Sequence, residues 1–337
     1  MVNNSYEHYR RGVNCYWNSM SLLLEQHGLE HMILKHLSFG YIYSNSKLDI
    51  TFELEAESSN SLGWLNQYIN IKRYRLSEEE LYEFLKQNKD PFLLCVNIKA
   101  LASEYRSYPN IHDYHYLNVV GIEDESVRVK DQYFGYRGLI PINLILKAIQ
   151  PDTIVQIGEV IQLEVNYDYL KEKSKDIINL IRNELLMRFD QYLEGTFKFD
   201  GVLNYVGKKA LEKLSEELDT VIFSAIERTE SIQDNWNYLL RRFNTSFIYS
   251  REGMIFYLTK YKNLFPFDIS ILVNCMEESL AITRHMSFLI IQANLKKKGP
   301  EDLIRSFKQK LEEVIKIEEK IYEQINLLRS ELDKIAI

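Results

Sequence analysis

Two hydrophobic periodicities divide the chain into two regions. In the first region, short segments either alternate apolar and polar residues or are apolar throughout, which is typical of half-buried and buried strands. The predicted strands cover residues 39–43, 48–54, 68–74, 92–98, 115–122, 127–131 and 153–163. From about Tyr167 onward the apolar residues recur at helical spacing, in segments 168–193, 202–223, 228–247, 268–296 and 300–334. The predicted fold class is therefore α+β, with a mixed domain at residues 1–165 followed by an all-α helical domain at residues 166–337.

The last amphipathic segment, at residues 300–334, carries an apolar stripe from Leu303 to Leu328 through a sequence rich in Lys and Glu. The stripe does not follow a strict heptad over its whole length, so we expect it to pack within the helical domain. A coiled-coil seam of a homodimer is the alternative.

A helix is predicted immediately after a cysteine near the start of the chain. Apolar residues within 20–24 have helical spacing, and Gly28 suits the C-terminal end of such a helix. Cys15 then lies in the first turn, where the positive end of the helix dipole favours a thiolate. The alternative is that Cys15 is a small buried hydrophobic residue, which is the more common state of free cysteine.

The two other cysteines provide a contrast. Cys95 and Cys275 both lie within apolar segments and are predicted to be core residues. Three cysteines without a CxxC motif argue against a disulfide framework and against a zinc site.

A predicted hairpin supplies a base for this thiol. His115 opens one strand, residues 123–126 form a polar turn, and Asp131 ends the second strand. Antiparallel pairing returns Asp131 to about the level of His115, and neighbouring strands lie about 4.8 Å apart. Cysteine catalysis needs a base that a third group holds in one tautomer. We therefore predict Cys15, His115 and Asp131 as a catalytic triad.

Other histidines are weaker candidates. His112 with Asp113 is a rival base, which we place in the loop before the strand. His27, His31 and His36 resemble a metal cluster by their spacing, but Gly28 interrupts the helix that would align the first two. No metal site is predicted.

These motifs resemble a known family. The chain has a cysteine at a helix start, then His-aromatic-aliphatic-x-Val-x-Gly from His115, then Val-x-Val-x-Asp ending at Asp131. This order resembles papain-like folds that process bacteriocin leaders in peptide exporters. It resembles more closely the butirosin-biosynthesis acyltransferase family, over most of residues 6–245.

The resemblance implies a papain-like, cysteine-peptidase-like N-terminal domain and a helical C-terminal domain that binds the acceptor or a partner. It also implies transfer of an acyl group from an acyl carrier protein thioester, through an S-acyl Cys15 intermediate, to a small-molecule amine in specialised metabolite biosynthesis. No separate cofactor is expected, because the phosphopantetheine arm belongs to the donor carrier protein.

One feature of papain-like enzymes is missing. They often place a glutamine six residues before the cysteine to complete the oxyanion hole, and Tyr9 stands at that position. The backbone N–H of Cys15 can supply one hydrogen bond, and Asn14, Asn18 or the Tyr9 hydroxyl could supply another.

The same triad is compatible with other functions. It could hydrolyse a peptide or an amide, which would make the protein a cysteine peptidase or amidase. The missing glutamine keeps open a catalytically inactive scaffold that binds a carrier protein.

Charge and hydropathy restrict the partners. The net charge of −7 argues against nucleic acid, which requires a basic surface. The first residues lack a signal sequence and no apolar run reaches membrane-spanning length, so we expect a cytoplasmic protein that does not enter membranes. The short basic runs at residues 72–75 and 296–298 are expected to be solvated surface. Docking of an acidic carrier protein is their alternative role.

Overall fold

The computed structural model describes residues 14–36, 41–44, 69–110, 113–150, 156–168, 174–199, 202–265, 267–296 and 299–335. The chain forms two compact units, and neither is continuous in sequence. The first, here called the sheet unit, comprises His8–Ile33 and Glu55–Ile177. The second, the helical unit, comprises Met1–Glu7, Leu34–Leu54 and Ile178–Ile337.

The sheet unit contains a six-stranded antiparallel sheet. Its strands are β2 (Ile69–Arg75), β3 (Phe92–Asn97), β4 (Tyr114–Glu123), β5 (Ser126–Asp131), β6 (Tyr136–Pro141) and β7 (Glu159–Val165). They lie in the order β2-β7-β3-β4-β5-β6. Its helices are α1 (Cys15–Glu25), α2 (Glu78–Gln87), α3 (Ile98–Ala102) and α4 (Ile142–Ala148). A 3₁₀ segment at Glu30–His36 begins in the sheet unit and ends in the helical unit. This architecture confirms the α+β prediction for the region. Strand β6 is not among the predicted strands, and the predicted strand at residues 48–54 lies outside the described residues.

One face of this sheet packs on a hydrophobic core. Strands β3, β4 and β5 contribute alternate side chains to it, including Leu94, Leu117 and Val129, and α2 and α4 cover them. A capping box begins α2, in which Glu80 N–H donates to the Ser77 hydroxyl and the Glu80 carboxylate accepts from Ser77 N–H. The core and the cap fix the strands on which the candidate site is built.

The helical unit is not all-α. Its helices are α5 (Ser174–Glu194), α6 (Lys208–Ile226), α7 (Ile232–Asn244), α8 (Ser250–Lys260), α9 (Ser270–Leu295) and α10 (Pro300–Ile335), with a π-helical turn at Thr245–Tyr249 and a 3₁₀ turn at Lys262–Leu264. It also contains a three-stranded sheet of β1 (Ile42–Ser44), β9 (Val202–Val206) and β8 (Thr196–Phe199).

The small sheet corrects two sequence predictions. Strand β1 pairs with β9 through Ile42 and Val206, so residues 34–54 belong to the helical unit and a single cut at residue 165 does not describe the division. Pairing between segments so far apart in sequence gives no local signal. The predicted helix at residues 202–223 begins later, at Lys208, because residues 202–206 form β9.

The apolar stripe of α10 is buried against α9 and α6, as expected for packing within the helical domain. A buried ion pair joins α8 to α10: the Arg251 guanidinium contacts both oxygens of Glu318 at 2.9 Å, and neither side chain is exposed. Tyr192 and Ser279 donate further hydrogen bonds to the same carboxylate. No helix among the described residues is long and apolar enough to cross a bilayer.

Candidate active site

The cap of α1 places Cys15 at the first helical position. Asn14 has an extended backbone with φ −138°, and its side-chain oxygen accepts a hydrogen bond from the backbone N–H of Trp17 at 2.9 Å. Cys15 is partly exposed. The thiol therefore lies at the positive end of the helix, as the sequence predicted.

Two hydrogen bonds attach this helix to β4. The Ser19 hydroxyl donates to the backbone carbonyl of Tyr116 at 2.6 Å, and the Asn118 side chain donates to the carbonyl of Ser19 at 3.1 Å. All three residues are buried. Because Tyr116 follows His115 directly, these bonds hold α1 against the part of the strand that carries the predicted base.

His115 and Asp131 form a buried pair. The distance from His115 Nε2 to Asp131 Oδ2 is 2.7 Å, and the two side chains are 1% and 0% exposed. The predicted partnership of these two residues is thus present in the structure. Since Asp131 occupies Nε2, the other ring nitrogen, Nδ1, is the one left for Cys15.

The turn after β5 fixes the carboxylate. Asp131 Oδ1 accepts hydrogen bonds from the backbone N–H groups of Tyr133 at 3.0 Å and Phe134 at 3.3 Å. One carboxylate oxygen is therefore held by the backbone and the other faces the imidazole. This arrangement can keep the imidazole in one orientation during proton transfer.

The two side chains share a face of the sheet because of a β-bulge. Near the turn, Gly121 pairs with Arg128, so odd-numbered residues of β4 lie opposite even-numbered residues of β5. If that register continued, Asp131 would project from the face opposite to His115. The register shifts between Val119 and Gly121, and beyond the shift odd-numbered residues pair with odd-numbered ones. The bulge thus brings the base and its carboxylate together.

Aromatic rings surround the imidazole. The centroid of the His115 ring lies 4.7 Å from that of Phe134, 5.7 Å from that of Tyr133 and 6.2 Å from that of Tyr108. Sequence reasoning missed these residues. The position of Tyr133 and Phe134 directly after Asp131 is a local signal for them, whereas only the tertiary structure brings Tyr108 to the site.

The electrostatic balance favours an imidazolium. Burial by itself lowers the pKa of His115, but the charge and hydrogen bond of Asp131 and then the Cys15 thiol outweigh it and raise that pKa to about 10. Cys15 is among the groups that raise this pKa, which places its thiol in the neighbourhood of the buried His115–Asp131 pair.

A polar network lies beside the nucleophile. Arg73 on β2 donates to the Tyr16 hydroxyl at 2.9 Å and to Glu159 on β7 at 3.1 Å. The Tyr116 hydroxyl donates to the same carboxylate at 2.6 Å. Tyr16 and Tyr116 each adjoin a triad residue in sequence, so the network supports both α1 and β4. From the sequence, Arg73 is predicted only as part of a basic surface run.

Carboxylates on β7 neutralise part of the positive charge of the basic run at residues 72–75. Lys72 forms an ion pair with Glu164, and Arg73 forms one with Glu159. Residues 297 and 298 of the second basic run lie outside the described residues.

The three oxyanion candidates differ in their surroundings. Asn14 is the N-cap of α1 and is 9% exposed, whereas Asn18 is fully buried. Tyr9 lies outside the described residues.

The rival base His112 also lies outside the described residues, but its neighbour Asp113 is described. The backbone oxygen of Asp113 accepts from Ile98 N–H, and its carboxylate accepts from Tyr114 N–H at 2.8 Å. Asp113 thus accepts hydrogen bonds from two backbone N–H groups.

The remaining cysteines have different environments. Cys95 on β3 is fully buried as predicted, and burial followed by the nearby Cys15 raises the pKa of its thiol well above the ordinary value. Cys275 is partly exposed, so the prediction that it is a core residue is wrong. It does not belong to the buried side of α9, which carries neighbours such as Met276. Burial and then the Glu278 carboxylate raise the pKa of Cys275.

Within the described ranges, no group of three His, Cys, Asp or Glu side chains is arranged to hold a metal ion. Comparison of the sequence with models of known protein families and with curated proteins gives no match.

Proposed function

We propose that the protein is a cysteine-dependent acyltransferase with Cys15 as nucleophile, His115 as acid and base, and Asp131 as the residue that orients the imidazole. The observation that carries this proposal is the buried His115–Asp131 pair, 2.7 Å apart, together with the partly exposed thiol of Cys15 at the start of α1. A buried ion pair costs desolvation energy, so a role in catalysis accounts for it better than a role in stability.

The residues can perform a balanced two-step transfer. The Cys15 thiolate attacks the carbonyl carbon of a thioester, and the π electrons move to the oxygen. Collapse of this intermediate restores the carbonyl and breaks the bond to the leaving sulfur, which takes a proton from the His115 imidazolium. An amine then attacks the acyl-cysteine, His115 accepts its proton, and the Cys15 thiolate leaves. Asp131 stabilises the imidazolium in both steps.

The site supports thiol-acyl chemistry, and the resemblance of the motifs supports the choice of substrates. On that basis the donor is an acyl carrier protein thioester, and the acceptor is a small-molecule amine in specialised metabolite biosynthesis. We assign a papain-like arrangement to the sheet unit on the same basis, and acceptor or partner binding to the helical unit. Thioester exchange onto a thiol is nearly isoenergetic, so the enzyme must mainly supply the thiolate and stabilise the oxyanion.

Intact-mass spectrometry of the full chain tests the proposal. Mixing with acyl-loaded carrier proteins should add the mass of one acyl group, and an added amine should remove it as an amide. Cys15→Ala should abolish the adduct, whereas Cys275→Ala should retain it. Absence of an adduct with every acyl-carrier protein would refute the acyltransferase proposal, and cleavage of peptides or amides without transfer would assign the site to hydrolysis.

A further inference from the structure

The acyl-transfer step proposed above requires a second hydrogen-bond donor for the oxyanion. The backbone N–H of Cys15 occupies the first position of α1, where helix N–H groups have no intrahelical acceptor. It can therefore donate one hydrogen bond to a carbonyl oxygen attacked by the Cys15 thiolate. One donor alone leaves much of the developing negative charge unsatisfied.

The cap defines the orientation of the Asn14 carboxamide. Its oxygen must face the Trp17 N–H, because only the oxygen can accept that 2.9 Å hydrogen bond. The NH₂ group is then the end of the carboxamide that does not face the Trp17 N–H. Within the part of the chain that the structure describes, this NH₂ group has no hydrogen-bond acceptor, and Asn14 still reaches the surface with 9% exposure.

The other described candidate lies too deep. Asn18 is one turn further along α1, and its backbone N–H bonds to the Asn14 carbonyl at 3.0 Å. It has no exposed surface, so a substrate carbonyl cannot approach its side chain without opening the core. Asn14 is instead directly adjacent to the nucleophile, beside the Cys15 N–H.

We infer that the Asn14 side-chain NH₂ is the second oxyanion donor of this site, and that it replaces the glutamine absent six residues before Cys15. This inference rests on the proposed acyltransferase function. One side chain then has two tasks: its oxygen begins the helix that orients the thiol, and its nitrogen stabilises the intermediate formed on that thiol. The capping bond pre-orients the donor, which is what makes such a donor effective.

Asn14→Ser separates the two tasks. Serine caps a helix as well as asparagine does but has no NH₂ group in this position. The variant should lose about 10²- to 10³-fold in the rate of Cys15 acylation, the typical effect of removing one oxyanion donor. The probe is the S-butanoyl thioester of N-acetylcysteamine, with acylation followed by intact mass. Asn14→Asp, which keeps the cap but places a carboxylate near the oxyanion, should lose at least as much.

Alkylation by iodoacetamide provides the internal comparison. It proceeds by displacement at carbon without an oxyanion, so the alkylation rate of Cys15 in Asn14→Ser should match the wild-type rate. Asn97→Ser is the matched control, because Asn97 caps α3 through the Lys99 N–H and has no part in the triad. It should leave both rates unchanged.

Two results would overturn the inference. Wild-type acylation by Asn14→Ser would show that its NH₂ group does not act on the oxyanion. A parallel loss of acylation and alkylation would show that Asn14 only positions the thiol. A wild-type protein that alkylates at Cys15 but never accepts an acyl group would instead refute the proposed function, so the two failures are distinguishable.

Discussion

Asp131→Asn should inactivate the site without unfolding it. Asp131 Oδ1 accepts two backbone N–H groups, so the substituted amide must place its oxygen there to keep them satisfied. Its NH₂ group then faces Nε2 of His115, which must become the acceptor. The imidazole therefore carries its proton on Nδ1, and it can no longer take a proton from Cys15 or from an attacking amine.

The size of the effect follows from the charge that is lost. A pKa of about 10 for His115, against an ordinary value of 6.5, corresponds to about 5 kcal/mol in favour of the imidazolium. Loss of the orienting carboxylate in hydrolases with a comparable triad costs up to about 10⁴ in rate. We expect a loss of about 10² to 10⁴ in acylation, which corresponds to about 3–5 kcal/mol of barrier.

The pKa of His115 also predicts how stability and the acylation rate change with pH. In the wild-type protein, the pKa of His115 is raised, so its contribution to stability is present below about pH 6.5 and is lost as the pH rises through about 10. Activity that needs the imidazolium should fall over that same upper range. In Asp131→Asn the carboxylate that offsets burial is lost, so the pKa of His115 should fall and the basic limb should move to lower pH.

Acylation rates between pH 5.5 and 10.5, measured by intact mass, provide the assay, and circular dichroism confirms folding. Asp113→Asn is the matched control, because the Asp113 carboxylate also accepts a backbone N–H, whereas the carboxylate hydrogen-bonded to His115 Nε2 is that of Asp131. A wild-type rate and pH profile in Asp131→Asn would refute the assignment. Equal impairment of Asp113→Asn would contradict the argument that the hairpin selects Asp131.

Two further outcomes are expected. Iodoacetamide at neutral pH should label Cys15 faster than Cys275, because partial burial and nearby carboxylates raise the pKa of Cys275. Peptide mapping should show labelling of Cys275 only as the pH increases. Equal labelling rates at pH 7 would contradict this prediction. Glu318→Gln should lower the free energy of unfolding by about 3–5 kcal/mol, because it leaves the buried Arg251 charge without its carboxylate. Asp219→Asn, which breaks an exposed pair, should cost less than about 1 kcal/mol in the same denaturant titration, and similar losses for both variants would contradict the role of burial.

Local sequence patterns are sufficient to predict several elements of the sheet unit. The capping box of α2, the helix that begins at Cys15 and the β4–β5 hairpin all depend on residues close together in sequence, and all three are present. A cap needs only a side chain and an N–H a few residues away, and a strand needs only its own alternation. Such features can therefore be read without knowledge of the rest of the chain.

The sequence correctly predicts that His115 and Asp131 lie close together, but the hairpin turn alone does not explain it. The turn register alone would put the two residues on opposite faces of the sheet, and the bulge before Gly121 reverses that outcome. A bulge depends on how both strands pack on the core, so the alternation of one strand does not reveal it.

Residue type and local periodicity are enough to select the candidate nucleophile, base and orienting acid. They do not show that β1 joins β9 in the helical unit, that Tyr108 borders the imidazole, or that Asn18 is fully buried while Asn14 keeps 9% exposure. These outcomes depend on contacts between distant segments, and a contact of that kind is chosen by the packing of the whole unit rather than by either segment alone.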